Sequence, residues 1–196
     1  FEIIFFDNAS TDKSTQIALF YDKRLKYFRS EINVTLGEAR NLAIEKCKGD
    51  YITFLDVDDL WYKDKLIQQI DYFENHKIGL VYSLASIINS DGLILNTPII
   101  NSNTNSSRIS FGGLFENYDV ILSSAMISGK ALSSINGSFD NLLEYAEEYD
   151  LFMRICSKFD AVRVEKVLTS YRTHKDQVSN KQFECRIFED EYILSK

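Results

Sequence analysis

Proline occurs once, at Pro98, and glycine only eight times in 196 residues. A collagen-like or Gly/Pro-rich flexible chain is thereby excluded. The three cysteines, Cys47, Cys156 and Cys185, stand far apart, and none forms a CxxC pair. Such spacing builds neither a disulfide framework nor a zinc cluster; it suits free thiols in a reducing compartment. No apolar run approaches the roughly 20 residues of a membrane-spanning helix. A basic excess is missing too: 22 Lys and Arg face 29 Asp and Glu, for a net charge of −7. A chain of that sign repels phosphate backbones and anionic lipid, which argues against nonspecific nucleic-acid binding. A small anionic ligand held through a metal ion remains compatible with it. Hydrophobic residues at 45% and charged residues at 26% give an ordinary globular composition, and the length suits one domain.

The run Phe1-Glu2-Ile3-Ile4-Phe5-Phe6 reads as a strand buried on both faces of a parallel sheet. It stops at the turn-forming cluster Asp7-Asn8-Ala9-Ser10-Thr11-Asp12. A helix is predicted through Gln16–Tyr21 and a short strand over Leu25–Arg29. Thr35-Leu36-Gly37-Glu38 fits a capping box, and Leu36, Ala39, Ala43 and Ile44 continue it as an amphipathic helix of about 36–47, with Gly49 just beyond. Tyr51 to Leu55 is the next strand, ending in Asp56-Val57-Asp58-Asp59. Leu66, Ile70 and Phe73 mark one face of a helix of about 62–75. Gly79–Ile88 reads as a strand and Asn89-Ser90-Asp91-Gly92 as a hairpin turn. The Asn/Ser-rich stretch Asn96–Ser107 is expected to be a long surface loop, either mobile or functional. A strand over Ile121–Ser128, a helix over Lys130–Ile135, a helix over Tyr149–Lys158, a strand over Ala161–Ser170 and a polar, helical remainder complete the chain. Strands alternating with helices predict an α/β fold, a Rossmann-like and mostly parallel sheet flanked by helices. Two strands end in aspartate, at Asp7 and Asp56, and parallel strands would carry both to the rim where ligands gather.

Asp56, Asp58 and Asp59 are three carboxylates within four residues, and they repel one another unless a positive charge sits among them. A divalent cation that prefers oxygen, Mn²⁺ or Mg²⁺, answers that need and keeps positions open for water and phosphate oxygens. A solvated acidic turn, with Asp59 capping the next helix, is the competing explanation. Glu147 and Glu148 precede a helix anchored by Leu151 and Ile155, and acids at a helix start also occur for dipole reasons. Arg40, taken alone, reads as a surface helix residue paired with Glu38 or Glu45. Trp61 follows the acidic cluster and could line a site or simply pack.

The ordered segments Asp7-Asn8-Ala9-Ser10-Thr11-Asp12, Gly37-Glu38-Ala39-Arg40-Asn41, Gly49-Asp50-Tyr51-Ile52-Thr53-Phe54-Leu55-Asp56-Val57-Asp58-Asp59, Glu147-Glu148-Tyr149-Asp150-Leu151-Phe152-Met153-Arg154 and Tyr171-Arg172-Thr173-His174 resemble the family 2 glycosyltransferases, which are nucleotide-sugar-dependent enzymes of the GT-A fold. The resemblance implies that Asp7 contacts the nucleobase and that Arg40 lies near the base or diphosphate. It implies that Asp56 holds the ribose side, and that Asp58, with His174, ligates Mn²⁺ or Mg²⁺. Glu148 stands where the family places its catalytic base, with Glu147 and Asp150 as neighbouring candidates; Arg172 could add charge toward the diphosphate. The implied activity is inverting transfer from a nucleotide-diphosphate sugar, a UDP-sugar by preference, to a hydroxyl of a saccharide or lipid-linked acceptor in bacterial surface polysaccharide synthesis. A cytoplasmic location, with peripheral membrane association where lipid-linked acceptors reside, follows from the same resemblance. Family members open with a strand and helix ahead of the segment matching Phe1–Ile4, so residues 1–196 are expected to form one domain lacking that opening. Two other readings compete: a noncatalytic nucleotide-binding module, and a phosphatase that uses an Asp-x-Asp after a strand.

Overall fold

A computed structural model describes residues 1–98, 106–135, 137–175 and 183–195, with side chains from 188 onward in the last stretch. Seven residues of the expected loop, 99–105, and the Cys185 side chain lie outside the described residues. The chain opens with β1 (Ile3–Asp7), α1 (Ser14–Tyr21), β2 (Leu25–Arg29), α2 (Leu36–Ile44) and β3 (Tyr51–Thr53). Then follow β4 (Leu60–Trp61), α3 (Lys65–Ile70) with a 3₁₀ turn over Asp71–Glu74, β5 (Ile78–Ile88), β6 (Ile94–Asn96) and β7 (Ser106–Ile109). The last part holds α4 (Phe111–Glu116), β8 (Met126–Ser128), α5 (Gly129–Ser134), α6 (Glu147–Cys156), β9 (Asp160–Arg172) and α7 (Phe183–Leu194).

β1 and β2 form a parallel pair of their own. The larger sheet runs β3-β8-β5-β9-β4, with β6 on β5 and β7 on β9. β8 is antiparallel to both β3 and β5, and β5 is parallel to β9. β3, β5 and β9 therefore share one direction, and their carboxyl ends share one rim. The expected α/β fold is present, and the common direction of these strands, more than the number of parallel pairings, builds the rim.

Side-chain alternation along the central strands sorts the core into two layers. Leu80 and Tyr82 of β5, Ile127 of β8 and Ala161 of β9 face a cluster with Leu114, Leu132, Leu151, Phe152 and Ile155 of α4, α5 and α6. Val81, Met126, Val162 and Val164 face the opposite way, onto Phe73 and Leu66. Gly79 lets α6 close on β5, because a Cβ there would lie 2.7 Å from Phe159 Cβ and 2.9 Å from Ile155 Cγ2.

Three expectations are corrected. Ile121–Ser128 is a 3₁₀ turn over Leu122–Ser124 followed by a three-residue strand; Ser124 Oγ bonds back to the Ile121 carbonyl at 2.7 Å and favours the turn. The helix of about 62–75 is shorter, and Asp59 does not cap it: α3 starts after Asp64. Of the expected face, Phe73 is buried and Leu66 packs on its cluster, but Ile70 is 38% exposed, and the fully buried positions of α3 are Lys65 and Gln69. Polar residues hold the inward positions because they have partners. Lys65 Nζ donates to Gln69 Oε1 at 2.7 Å and Thr53 Oγ1 at 3.1 Å and sits over the Trp61 ring; Gln69 Nε2 donates to the Ser124 carbonyl at 2.8 Å.

None of those Lys65 partners is a carboxylate, and burial brings its pKa down to about 7 from 10.5. The unfolded chain then binds more protons across that window, so folding stability rises as pH rises from about 7 to about 10. Lys65→Met is expected to flatten that rise, as read by urea unfolding at the two ends of the window. A wild-type slope unchanged in the variant contradicts it.

Candidate active site

The β1 end is organised by Asp7. Its Oδ1 accepts the Ser10 N–H at 2.7 Å, and its Oδ2 accepts the Thr15 hydroxyl at 2.8 Å and the Tyr27 hydroxyl at 2.6 Å. Burial alone would raise its pKa, but these donors outweigh burial and hold the carboxyl well below its usual range. Ala9 adopts φ +58° in the same turn, a conformation L-residues avoid and one that such turns hold under strain. Asn8 ties the turn to the entry of α2, donating to the Val34 carbonyl and accepting its N–H. Asp7 is thus 2% exposed, and no hydrogen bond joins it to Asp56.

Tyr27→Phe is expected to cost about 1.5–3 kcal/mol at neutral pH, the range for a hydrogen bond to a charged group. Because Asp7 has a lowered folded-state pKa, that cost is fully present above its unfolded pKa. It fades as pH falls through the folded value. Denaturant titrations at neutral and acid pH check it; a cost that does not shrink on acidification contradicts the assignment.

The β3 end forms a tight turn closed by the Asp59 N–H on the Asp56 carbonyl at 3.1 Å. Ser123, fully buried, accepts the Asp56 N–H at 3.0 Å, and its carbonyl accepts the Trp61 indole N–H at 2.6 Å. Trp61 is therefore engaged in packing. Asp59 is buried; its Oδ1 accepts the Arg172 N–H at 2.9 Å. Burial pushes its carboxyl up, with Asp56 and Asp58 adding to the rise against the nearby Ser123 and the Arg172 amide. Arg172 Nε donates to the Asp58 carbonyl at 2.7 Å, and its Nη1 to the carbonyls of Asn89 and Ser90. That residue clamps the turn to the β5–β6 hairpin, a role its sequence gave no sign of.

Arg40 does not pair with Glu38 or Glu45. It reaches from α2 to Asp56 Oδ1 at 3.1 Å and to Glu147 Oε1 at the start of α6. Residues 16 and 107 positions away thereby converge on one guanidinium, which also lies over the Phe139 ring at 5.5 Å. Glu147 is 3% exposed, and its Oε2 has no hydrogen-bond partner among the described residues. Burial raises its pKa, Arg40 pulls it down, and Glu189 adds to the rise. Asp150 is buried against Arg154, its Oδ2 accepting Nε at 2.8 Å. Glu148 stands half-buried in the first turn of α6, beside these two.

His174, just past the β9 end, places Nε2 3.1 Å from Asp58 Oδ2. Both side chains are about one-third exposed, 32% for Asp58 and 31% for His174. Two cis ligands of an octahedral ion at about 2.1 Å stand about 3 Å apart, so this oxygen and this nitrogen fit a divalent cation. No group of three such side chains converges among the described residues, so the remaining positions would fall to water and phosphate oxygens. That division suits Mg²⁺, and the imidazole favours Mn²⁺.

The model of the family described as Glycosyl transferase family 2 matches residues 1–135. The UDP-Glc:α-D-GlcNAc-diphosphoundecaprenol β-1,3-glucosyltransferase WfaP of Escherichia coli is 30% identical over 99% of this chain and 74% of its own length. An uncharacterised glycosyltransferase of Rickettsia typhi is 30% identical, over 91% of this chain and 57% of its own. One of Methanocaldococcus jannaschii is 29% identical over 87% and 59%. The chain therefore spans somewhat more than half the length of these last two relatives. Among solved structures, Staphylococcus aureus TarS 1–349 in complex with UDP-GlcNAc superposes with a TM-score of 0.76, covering 93% of this chain and 52% of that one at 18% identity. That likeness is one of fold, the GT-A fold. A matched region covering most of the chain, and a relative at 30% identity along nearly all of it, agree with the ordered motifs: this protein belongs to glycosyl transferase family 2.

Proposed function

We propose that this chain is the donor-binding and catalytic part of an inverting transferase. It would move a sugar from a nucleotide diphosphate, a UDP-sugar by preference, to a hydroxyl of a saccharide or lipid-linked acceptor. The observation that carries the reading is the meeting of Asp58 and His174 at 3.1 Å on the rim where β3 and β9 end, beside the Arg40–Asp56–Glu147 cluster. Bound there, Mn²⁺ or Mg²⁺ would supply Lewis-acid stabilisation of the departing diphosphate. Asp58 and His174 would be its protein ligands. Asp56 receives the ribose side, and Arg40 sets a fixed positive charge where negative charge grows. The Asp7–Asp12 turn receives the base, with Asp7 kept ionised as an acceptor for an N–H. Glu148 takes the proton of the acceptor hydroxyl. The hydroxyl oxygen bonds to the anomeric carbon as the carbon–phosphate-oxygen bond breaks, and the nucleoside diphosphate leaves from the opposite face. Glu147, committed to Arg40, holds that guanidinium rather than serving as base.

The E. coli relative names a diphosphoundecaprenol-linked acceptor, and this supports a lipid-linked acceptor, a place in surface polysaccharide assembly and work at the cytoplasmic face of a membrane. No helix among the described residues is long and apolar enough to cross a membrane. The test is a nucleotide-sugar screen with Mn²⁺ and a GlcNAc-diphosphoundecaprenol acceptor, read as nucleoside diphosphate release. Acceptor-dependent release that chelation abolishes is expected. Binding of UDP without transfer from any donor would instead favour a noncatalytic module, and phosphate release from simple phosphomonoesters a phosphatase.

A further inference from the structure

We propose that Glu189, on the last helix, is a positioning residue for the acids that open α6. The proposal rests on the reading of the site as a transferase centre. α6 begins without a side-chain cap, because Ala146 at its N-cap offers none. The amides that lead into the helix are held instead by an acceptor from elsewhere in the chain. Glu189 Oε1 accepts the Glu144 N–H at 2.8 Å, and its Oε2 accepts the N–H groups of Tyr145 at 2.9 Å and Ala146 at 2.8 Å. One carboxylate, 43 residues downstream of the nearest of them, thus holds the three amides that immediately precede Glu147 and Glu148. Charge-assisted bonds of this kind are the stronger class.

The same connection is gripped twice more. Tyr192, one turn further along α7, donates its hydroxyl to Asp140 Oδ2 at 3.1 Å. From the other side Asn41 of α2 accepts the Phe139 N–H at 2.7 Å and donates to its carbonyl at 2.9 Å. What Glu189 fixes is passed on: Ala146 sets Glu147, Glu147 holds Arg40, and Arg40 holds Asp56. A structural staple could land anywhere along α7. This one lands beside the acids, where a displacement of about 1 Å can cost about a hundredfold in rate.

Glu189→Gln keeps the shape but turns an amide NH₂ toward N–H groups that need an acceptor. In the whole protein it is expected to lower kcat about tenfold or more. Amide hydrogen exchange over residues 144–148 should quicken about tenfold. Tyr192→Phe, which loosens the same helix without touching these amides, controls for general loosening and should leave kcat near wild type. A Glu189→Gln variant whose kcat falls no further than that of Tyr192→Phe, or whose 144–148 amides exchange as in wild type, overturns the proposal. If the wild-type protein turns over no nucleotide sugar at all, the transferase reading fails on its own, and the exchange measurement still decides whether Glu189 holds the start of α6.

Discussion

Asp58→Asn is expected to lower metal-dependent transfer about a thousandfold, the scale of losing one well-placed electrostatic stabiliser of a leaving group. That factor is roughly 4 kcal/mol of transition-state stabilisation. The same substitution should leave the fold intact. The Asp58 carboxylate is one-third exposed and bonds to His174 at the open rim, and exposed pairs of this kind contribute about 0–1 kcal/mol. With Asp56 and Asp59 close by in the chain, removing one negative charge relieves repulsion in the metal-free protein. Activity and stability thus move in opposite directions. Initial rates of nucleoside diphosphate release, set beside a urea melt, read both, and a variant with wild-type metal-dependent turnover removes Asp58 from the mechanism.

Arg40→Met is the second large effect, and it is one of stability as well as rate. The guanidinium is 11% exposed and lies between Glu147 and Asp56. Deleting one partner of a buried pair typically costs about 3–5 kcal/mol, since the other charge is left without compensation. Here the stranded group is Glu147, already pushed up by burial and restrained by Arg40. In the variant it would rather be protonated. A carboxyl with a raised folded-state pKa favours folding at low pH and loses that contribution as pH rises through the folded value. The destabilisation is therefore expected at neutral and alkaline pH and should shrink on acidification. The pair Arg40→Met with Glu147→Leu should regain most of the stability, because an apolar pair of similar volume replaces the ions, yet regain no transfer. A double variant as unstable as the single one contradicts the assignment of the loss to Glu147.

Much of this site was legible because its parts sit at strand ends. A short apolar run that stops at an aspartate announces a strand, and β1 and β3 were read that way. The match of Thr35 to an N-cap held as well, its Oγ1 accepting the Glu38 N–H at 3.3 Å. What escaped was whatever depends on partners distant in the chain. Lys65 and Gln69 look like surface residues until Thr53, Ser124 and Trp61 surround them, so the apolar periodicity found Leu66 and Phe73 but took the exposed Ile70 for an inward position and missed the two buried polar ones. β4, with two residues, and β6, fully exposed, carry no burial pattern to read. Arg40, Arg172 and Glu189 are polar residues whose partners lie 16 to 114 positions away. No local spacing encodes such pairings.

The most direct measurement is a crystal structure of the protein with UDP and Mn²⁺, collected at a wavelength where manganese scatters anomalously. The account predicts one anomalous peak about 2.1 Å from Asp58 Oδ2 and from His174 Nε2, bridged to the diphosphate oxygens. A manganese ion and nucleotide bound elsewhere, with that oxygen and nitrogen touching neither, would contradict it.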